Sequence, residues 1–241
     1  MSKSLKIFLG ISYIIILFIF LFLIFSYIEL SRLDDFSYYK ELQFNIEKKI
    51  SQNFYLNVLI FFIFCVVWVS LLGFGSPLLL ISGILFGKWL GTIVSVFSIT
   101  VGSLILYSIA HFFFEDIVRK LLEKRFYNYK FLFKKNEFNY FLAFRLAGGL
   151  GIPFGIQNVL PVIFDIKKIN YFIASFLGFI PMFFIWNTIG AGLNEYIKQS
   201  DNFSFFSLLL NKEIYLPIIL FLVVILFSAL IKRKVFKDKI Q

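Results

Sequence analysis

The chain has 241 residues, of which 60% are hydrophobic and only 16% charged, with a mean hydropathy of +0.87. Soluble domains average roughly 45–50% apolar residues, so this composition cannot be covered by a water-facing surface. The net charge of +10 sits on short islands beside apolar runs rather than in a recognisable nucleic-acid module. It matches the excess of Lys and Arg on one side of membrane proteins and favours anionic lipid headgroups as partners.

Lys3 and Lys6 precede Ile7–Ile28, 22 residues without a charge. A cleaved leader has an apolar core of roughly 7–15 residues and a small-residue cleavage site. Glu29-Leu30-Ser31-Arg32 offers no such site, so the sequence predicts a retained anchor helix. Residues 32–49 follow with mixed charges and apolar Leu33, Phe36, Tyr39 and Leu42, the composition of a helix lying on a membrane interface.

The next uncharged run, Ile50–Gly87, holds 38 residues, while a spanning helix needs about 20. Its middle carries Gly73, Gly75 and Pro77, which break helices. A re-entrant hairpin turning at these residues fits the length; such backbone must be shielded by protein or line a wet cavity. Trp89–Phe114 then has the length of one span. Cys65, the single cysteine, excludes an intrachain disulfide and a thiolate metal site.

The island 115–137 carries seven Lys/Arg against four Asp/Glu. Beyond it, Phe138–Phe164 repeats the hairpin pattern. A first arm contains Arg145, a break contains Gly149, Gly151 and Pro153, and a second arm holds Gln157, Asn158 and Pro161. The two breaks share G-x-G-x-P at a displacement of 76 residues, and the same displacement maps Ser98 and Gly102 onto Ala174 and Gly178. An internal repeat of hairpin plus helix is a common way to build transport folds. Ile169–Asn194 and Ile214–Ile231 complete the spans.

Charge fixes the expected topology. Islands 115–137 and 232–239, the latter with five Lys/Arg against one Asp, go inside; the balanced islands 32–49 and 195–213 go outside. Only hairpins that leave on the side they entered allow this, and they then enter from opposite faces. The expected fold is an all-α polytopic membrane protein with four spanning helices and two opposed re-entrant hairpins in an inverted repeat. Residues 1–49 would form the anchor and interfacial segment, 50–192 the two-repeat core, and 193–241 the last span and basic tail.

Leu85-Phe86-Gly87-x-x-x-Gly91, Gly102, Phe144-Arg145-Leu146, Pro153-Phe154, Asn158 and Gly178-x-x-Pro181 together resemble the DedA superfamily, closest to its VTT-domain (SNARE-associated Golgi protein) branch. The resemblance covers about half the chain. It implies two facing re-entrant hairpins and movement of phospholipid or polyprenyl phosphate between leaflets. The chain departs from the pattern in three places. His111 stands where many relatives carry a basic residue, Pro161-Val162 where many have glycine, and no acid lies between Glu47 and Glu115.

A cation within an apolar segment costs about 2.5–3.5 kcal/mol on insertion scales, which makes Arg145 the leading functional candidate. It either grips a lipid phosphate or snorkels to the interface. Asn158, Gln157, Asp165, Lys167 and His111 complete the expected headgroup pathway. Each has a plainer role open to it, as a hydrogen-bond partner of broken backbone or as an interfacial residue. Gly83, Gly87, Gly91, Gly102, Gly178 and Pro181 are expected at helix contacts. Enzymatic chemistry is not expected, because no G-x-S-x-G, H-E-x-x-H or intramembrane acidic cluster is present, and neither metal nor cofactor is called for. The leading expectation is a lipid translocator in a bacterial cell membrane with both termini cytoplasmic, possessing lipids and a further copy of itself as candidate partners. A small-ion or solute transporter and a membrane-organising scaffold are the alternatives.

Overall fold

A computed structural model describes residues 15, 35–71, 74–200, 202 and 204–231. The anchor Ile7–Ile28 apart from Ile15, the break residue Gly73 and the basic tail 232–239 lie outside the described residues. Residues 1–45 and 46–241 form two separate compact bodies, and every site discussed below belongs to the second.

All the regular structure among the described residues is helical. The helices are α1 (Phe36–Gln52), α2 (Phe54–Ser70), α3 (Gly75–Phe113), α4 (Glu115–Phe126), α5 (Lys130–Lys135), α6 (Glu137–Leu146), α7 (Phe154–Val159, continued as a 3₁₀ turn over Leu160–Phe164), α8 (Lys168–Gln199), α9 (Phe205–Leu210) and α10 (Lys212–Ile231). Helices α3 and α8 are long and apolar enough to cross a membrane. This is an integral membrane protein.

Helix α2 and the first part of α3 run antiparallel as a hairpin. Phe61 on one arm meets Phe86 on the other with ring centroids 5.3 Å apart. The gap between the arms is bridged where Trp68 Nε1 donates to Phe74 O at 2.9 Å. Gly75 and Pro77, expected within the break, instead form the first turn of α3. Proline is tolerated there because first-turn N–H groups have no intrahelical acceptor.

Helix α3 is itself interrupted at Gly87, with φ 73° and ψ 178°. Ser82 Oγ reaches Gly91 O at 3.0 Å across this point, whereas a straight helix would hold the two residues about 13 Å apart. The chain therefore bends back sharply, and residues 88–113 form the long helix proper. Gly87 was expected among the packing glycines, but a Cβ there would meet open space. Its role is the positive φ of the turn, which L side chains rarely adopt.

The second hairpin follows the same plan. Asn136 caps α6 by accepting from Asn139 N–H at 3.0 Å. The chain then breaks through Gly148, Gly149 and Gly151, all at positive φ, before Pro153 opens α7. Asp165, the one described non-glycine residue with positive φ (54°), turns the chain into α8. The start of α6 lies beside the start of α8: Glu137 Oε2 accepts from Lys167 N–H at 3.4 Å, and Glu137 Oε1 accepts from Asn170.

The displacement of 76 residues recurs in the contacts. Gly102 on the long helix of the first hairpin-plus-helix unit lies against Val69 and Val66 O; a Cβ there would come within 2.9 Å of Val69 Cβ. Gly178 lies in the same way against Arg145, which is 76 residues beyond Val69. The absent side chains are what let each long helix approach its hairpin. Gly83 and Gly91 likewise make room for Asn187 of α8. Pro181, by contrast, is exposed on α8 rather than packed, and lines an apolar groove with Trp89, Ile93, Phe97 and Phe184.

Candidate functional site

Arg145 lies in the last turn of α6, where the hairpin break begins, and is only 2% exposed. Its head therefore does not snorkel. Nε donates to Ser175 Oγ at 3.1 Å; Nη2 donates to Asn158 Oδ1 and Tyr171 OH, both at 2.8 Å. Tyr171 OH passes its own proton to Ser103 O at 3.2 Å. The guanidinium carbon also lies 4.7–5.4 Å from the ring centroids of Phe179, Phe141 and Tyr171, which face it with π electrons.

The cluster draws on four elements. α6 carries the cation, α7 brings Asn158, α8 brings Tyr171 and Ser175, and 88–113 supplies the Ser103 carbonyl. The arrangement holds a positive charge without a carboxylate: none of the ion pairs among the described residues involves Arg145. Arg145 Nη1 and Asn158 Nδ2 are buried and donate to nothing. A buried donor left unpaired carries its full desolvation cost, so these nitrogens favour any group that brings acceptor oxygens. A guanidinium with an unpaired donor is complementary to acceptor oxygens, and a phosphate matches its geometry.

Gln157 does not join this cluster. Its Nε2 donates to Ile152 O at 2.6 Å and Gly148 O at 3.3 Å, so it satisfies carbonyls freed by the break. Its side chain occupies the space where a Cβ on Gly149 would fall. The sequence singled out Gln157 for the headgroup path; the structure gives it to the backbone.

Asp165 and His111 form a separate group at the far end of α7, while Lys167 lines a cavity that it shares with Asp165 and Glu137. Arg119 Nη2 donates to Asp165 Oδ1 at 2.6 Å and Nε to Glu115 Oε1 at 2.8 Å. Partial burial, which alone would lower its pKa, is outweighed by the hydrogen bonds and charges of Glu115 and Asp165, so the Arg119 pKa rises above its ordinary value. His111 Nδ1 lies 3.6 Å from Glu115 Oε2. His111, Glu115 and Asp165 can bring one ligand atom each within 4.8 Å of one another, but Arg119 already occupies both carboxylates. Aromatic stacking links the group to the Arg145 cluster, His111 on Tyr107 and Tyr107 on Tyr171, and Tyr107 OH donates to Ile166 O beside Asp165 at 2.6 Å.

Two cavities flank the second hairpin. An apolar one of about 300 Å³ is lined by Phe126, Phe141, Phe144, Gly151, Ile152 and Ile156 among others. The second, of about 540 Å³, is lined by Lys130, Lys134, Lys135 and Lys167 together with Asn136 and Asn170. They share the stacked pair Phe133 and Phe164, whose centroids are 4.1 Å apart.

Tyr171, Ser175, Tyr107, Arg119 and Asn187 escaped the sequence reading. Ser175 stands next to Ala174, which the repeat had singled out, and Tyr171 one helical turn before it. Both were legible only as members of an apolar run.

Two breaks in a helical chain, each followed by a long apolar helix, with a buried arginine that joins none of the ion pairs among the described residues at one of them, define a helical integral membrane protein. A family model described as the VTT domain matches residues 73–192, from the first break into the last third of α8. The chain belongs to this family, whose domain is that of the DedA/SNARE-associated Golgi proteins. No curated protein and no solved structure matches it.

Proposed function

We propose that the protein moves phosphate-bearing lipids between the two leaflets without covalent chemistry. The observation that carries this reading is the Arg145 cluster. A permanently charged donor is held away from water with no counter-ion, and two neighbouring nitrogens remain free to bond an acceptor. Retaining such a charge in a lipid-facing protein is expensive unless it serves a passing anion. The headgroup exchanges part of its hydration for these donors while its tails remain in the bilayer or in apolar clefts such as the one beside Ile152.

In this reading both hairpins are re-entrant and enter from opposite faces. The long helices 88–113 and α8 span, as does α10. The basic segment α4–α5 lies on the cytoplasmic side of a bacterial cell membrane with both termini, where its lysines gather anionic lipid.

The test is reconstitution into vesicles containing a fluorescently labelled phospholipid. The wild-type chain should carry label between leaflets faster than empty vesicles, and Arg145→Met should return the rate to background while the protein stays folded. Wild-type movement no faster than in empty vesicles refutes the proposal.

A further inference from the structure

The first hairpin carries a polar cluster of its own. Moving the Arg145 partners Asn158 and Tyr171 back by 76 residues lands on Ser82 and Ser95, both fully buried. Their hydroxyls converge on one carbonyl: Ser82 Oγ donates to Gly91 O at 3.0 Å and Ser95 Oγ at 2.6 Å. Into this cluster α8 inserts Asn187, also fully buried. Asn187 Nδ2 donates to Phe183 O at 2.8 Å and reaches Ser95 Oγ at 3.4 Å.

Those bonds fix which way the amide faces. Nδ2 is committed to a carbonyl, so Oδ1 points the other way, towards Gly91, and it accepts from nothing. A Cβ at Gly91 would lie 2.5 Å from that oxygen, so glycine keeps the position beside it free of a side chain. The second hairpin thus has donors to spare, and the first has a spare acceptor.

We infer that Ser82, Ser95 and Asn187 form a second polar station, which binds a hydrogen-bond donor at Asn187 Oδ1. The donor comes from water or from the ammonium or hydroxyl of a lipid headgroup. As a step for lipid movement the station rests on the proposed function; as a binding site it stands alone. Eight residues separate Ser95 from Ser103 and twelve separate Ser175 from Asn187, which puts the two stations about 12–18 Å apart along the helices. That is about half the thickness of a bilayer core. One station with surplus donors and one with a surplus acceptor suit the phosphate and the donor-bearing end of one headgroup, taken in turn.

Thiol accessibility tests this without relying on transport. Cys65 is the only cysteine, so a Cys65→Ala background carries no native thiol. Ser82→Cys and Ser95→Cys, two conservative changes on different arms, are reconstituted in vesicles and treated with 2-aminoethyl methanethiosulfonate. Ile99→Cys, at a fully buried apolar position of the same helix as Ser95, is the control. Both station thiols should react about tenfold faster than the control or better, because reaction follows solvent access to the thiolate. Slower reaction in phosphatidylethanolamine than in phosphatidylcholine vesicles supports the station and makes the donor a headgroup ammonium. Equal rates in the two also support it and make the donor water. Station thiols as inert as the control overturn the inference, even if the protein moves lipid. Reactive thiols in a protein that moves no lipid would retire the proposed function and leave the station standing.

Discussion

Removing Arg145 and removing its partner Asn158 should have unequal consequences for stability and the same consequence for transport. The guanidinium makes three hydrogen bonds and faces three rings, but those contacts offset a dehydration cost of several kcal/mol for a buried ion. Arg145→Met exchanges both for apolar packing of similar length, so stability should change by about 2 kcal/mol or less, in either direction. Asn158→Leu keeps the charge and deletes its 2.8 Å acceptor. Loss of a hydrogen bond to a charged group costs about 1.5–3 kcal/mol and leaves the guanidinium more poorly compensated, so a loss of about 3 kcal/mol is expected. At about 2–4 °C per kcal/mol for a chain of this size, Tm should fall by roughly 6–12 °C. The single buried thiol supplies the assay: a thiol-reactive fluorogenic dye reads unfolding through Cys65 as the detergent-solubilised protein is heated. Both variants should lose lipid movement. A larger loss of Tm for Arg145→Met than for Asn158→Leu would refute the reasoning, because it would make the arginine a structural keystone.

The remaining expectations concern the backbone that holds the site. Gly178→Ala places a methyl group onto Arg145 Cβ, and Gly102→Ala places one against Val66 O and Val69; each should cost about 1–3 kcal/mol by thermal unfolding, with Gly178→Ala also slowing transport. Gly87→Ala and Gly151→Ala meet no atoms but force alanine to φ values of 73° and 79°, so each should cost about 1–2 kcal/mol. Asp165→Asn retains a residue tolerant of positive φ and loses the ion pair to Arg119, which should lower stability by less than about 1 kcal/mol, with the difference shrinking in high salt.

The interruptions of the helices were legible because length and breakers are one-dimensional properties. A 38-residue uncharged run is a problem that any reader of the sequence meets, and the G-x-G-x-P pairs mark where to solve it. Arg145 and Asn158 stood out for a similar reason, as the rare polar groups in apolar surroundings. What stayed hidden was the pairing. Tyr171 and Ser175 are ordinary residues of an apolar helix until α8 crosses α6 at Gly178, and nothing local to α8 announces that crossing. Gly87 was misassigned because a packing glycine and a turn glycine look the same in sequence; only a positive φ separates them. Gln157 was misassigned because its amide suits a headgroup and a freed carbonyl equally well.

The recurrence of Gly102 on Val69 as Gly178 on Arg145 shows what the two units share and where they part. The frame is common, a hairpin arm pressed against a long helix through a glycine, and the residue at the point of contact is apolar in one unit and cationic in the other. Since the glycine contact survives with either residue, packing does not require the charge. The first unit manages the same geometry with valine and at no dehydration cost. On the proposed reading a guanidinium buried at that position serves a ligand rather than the fold, and the unspent nitrogens beside it suit an acceptor.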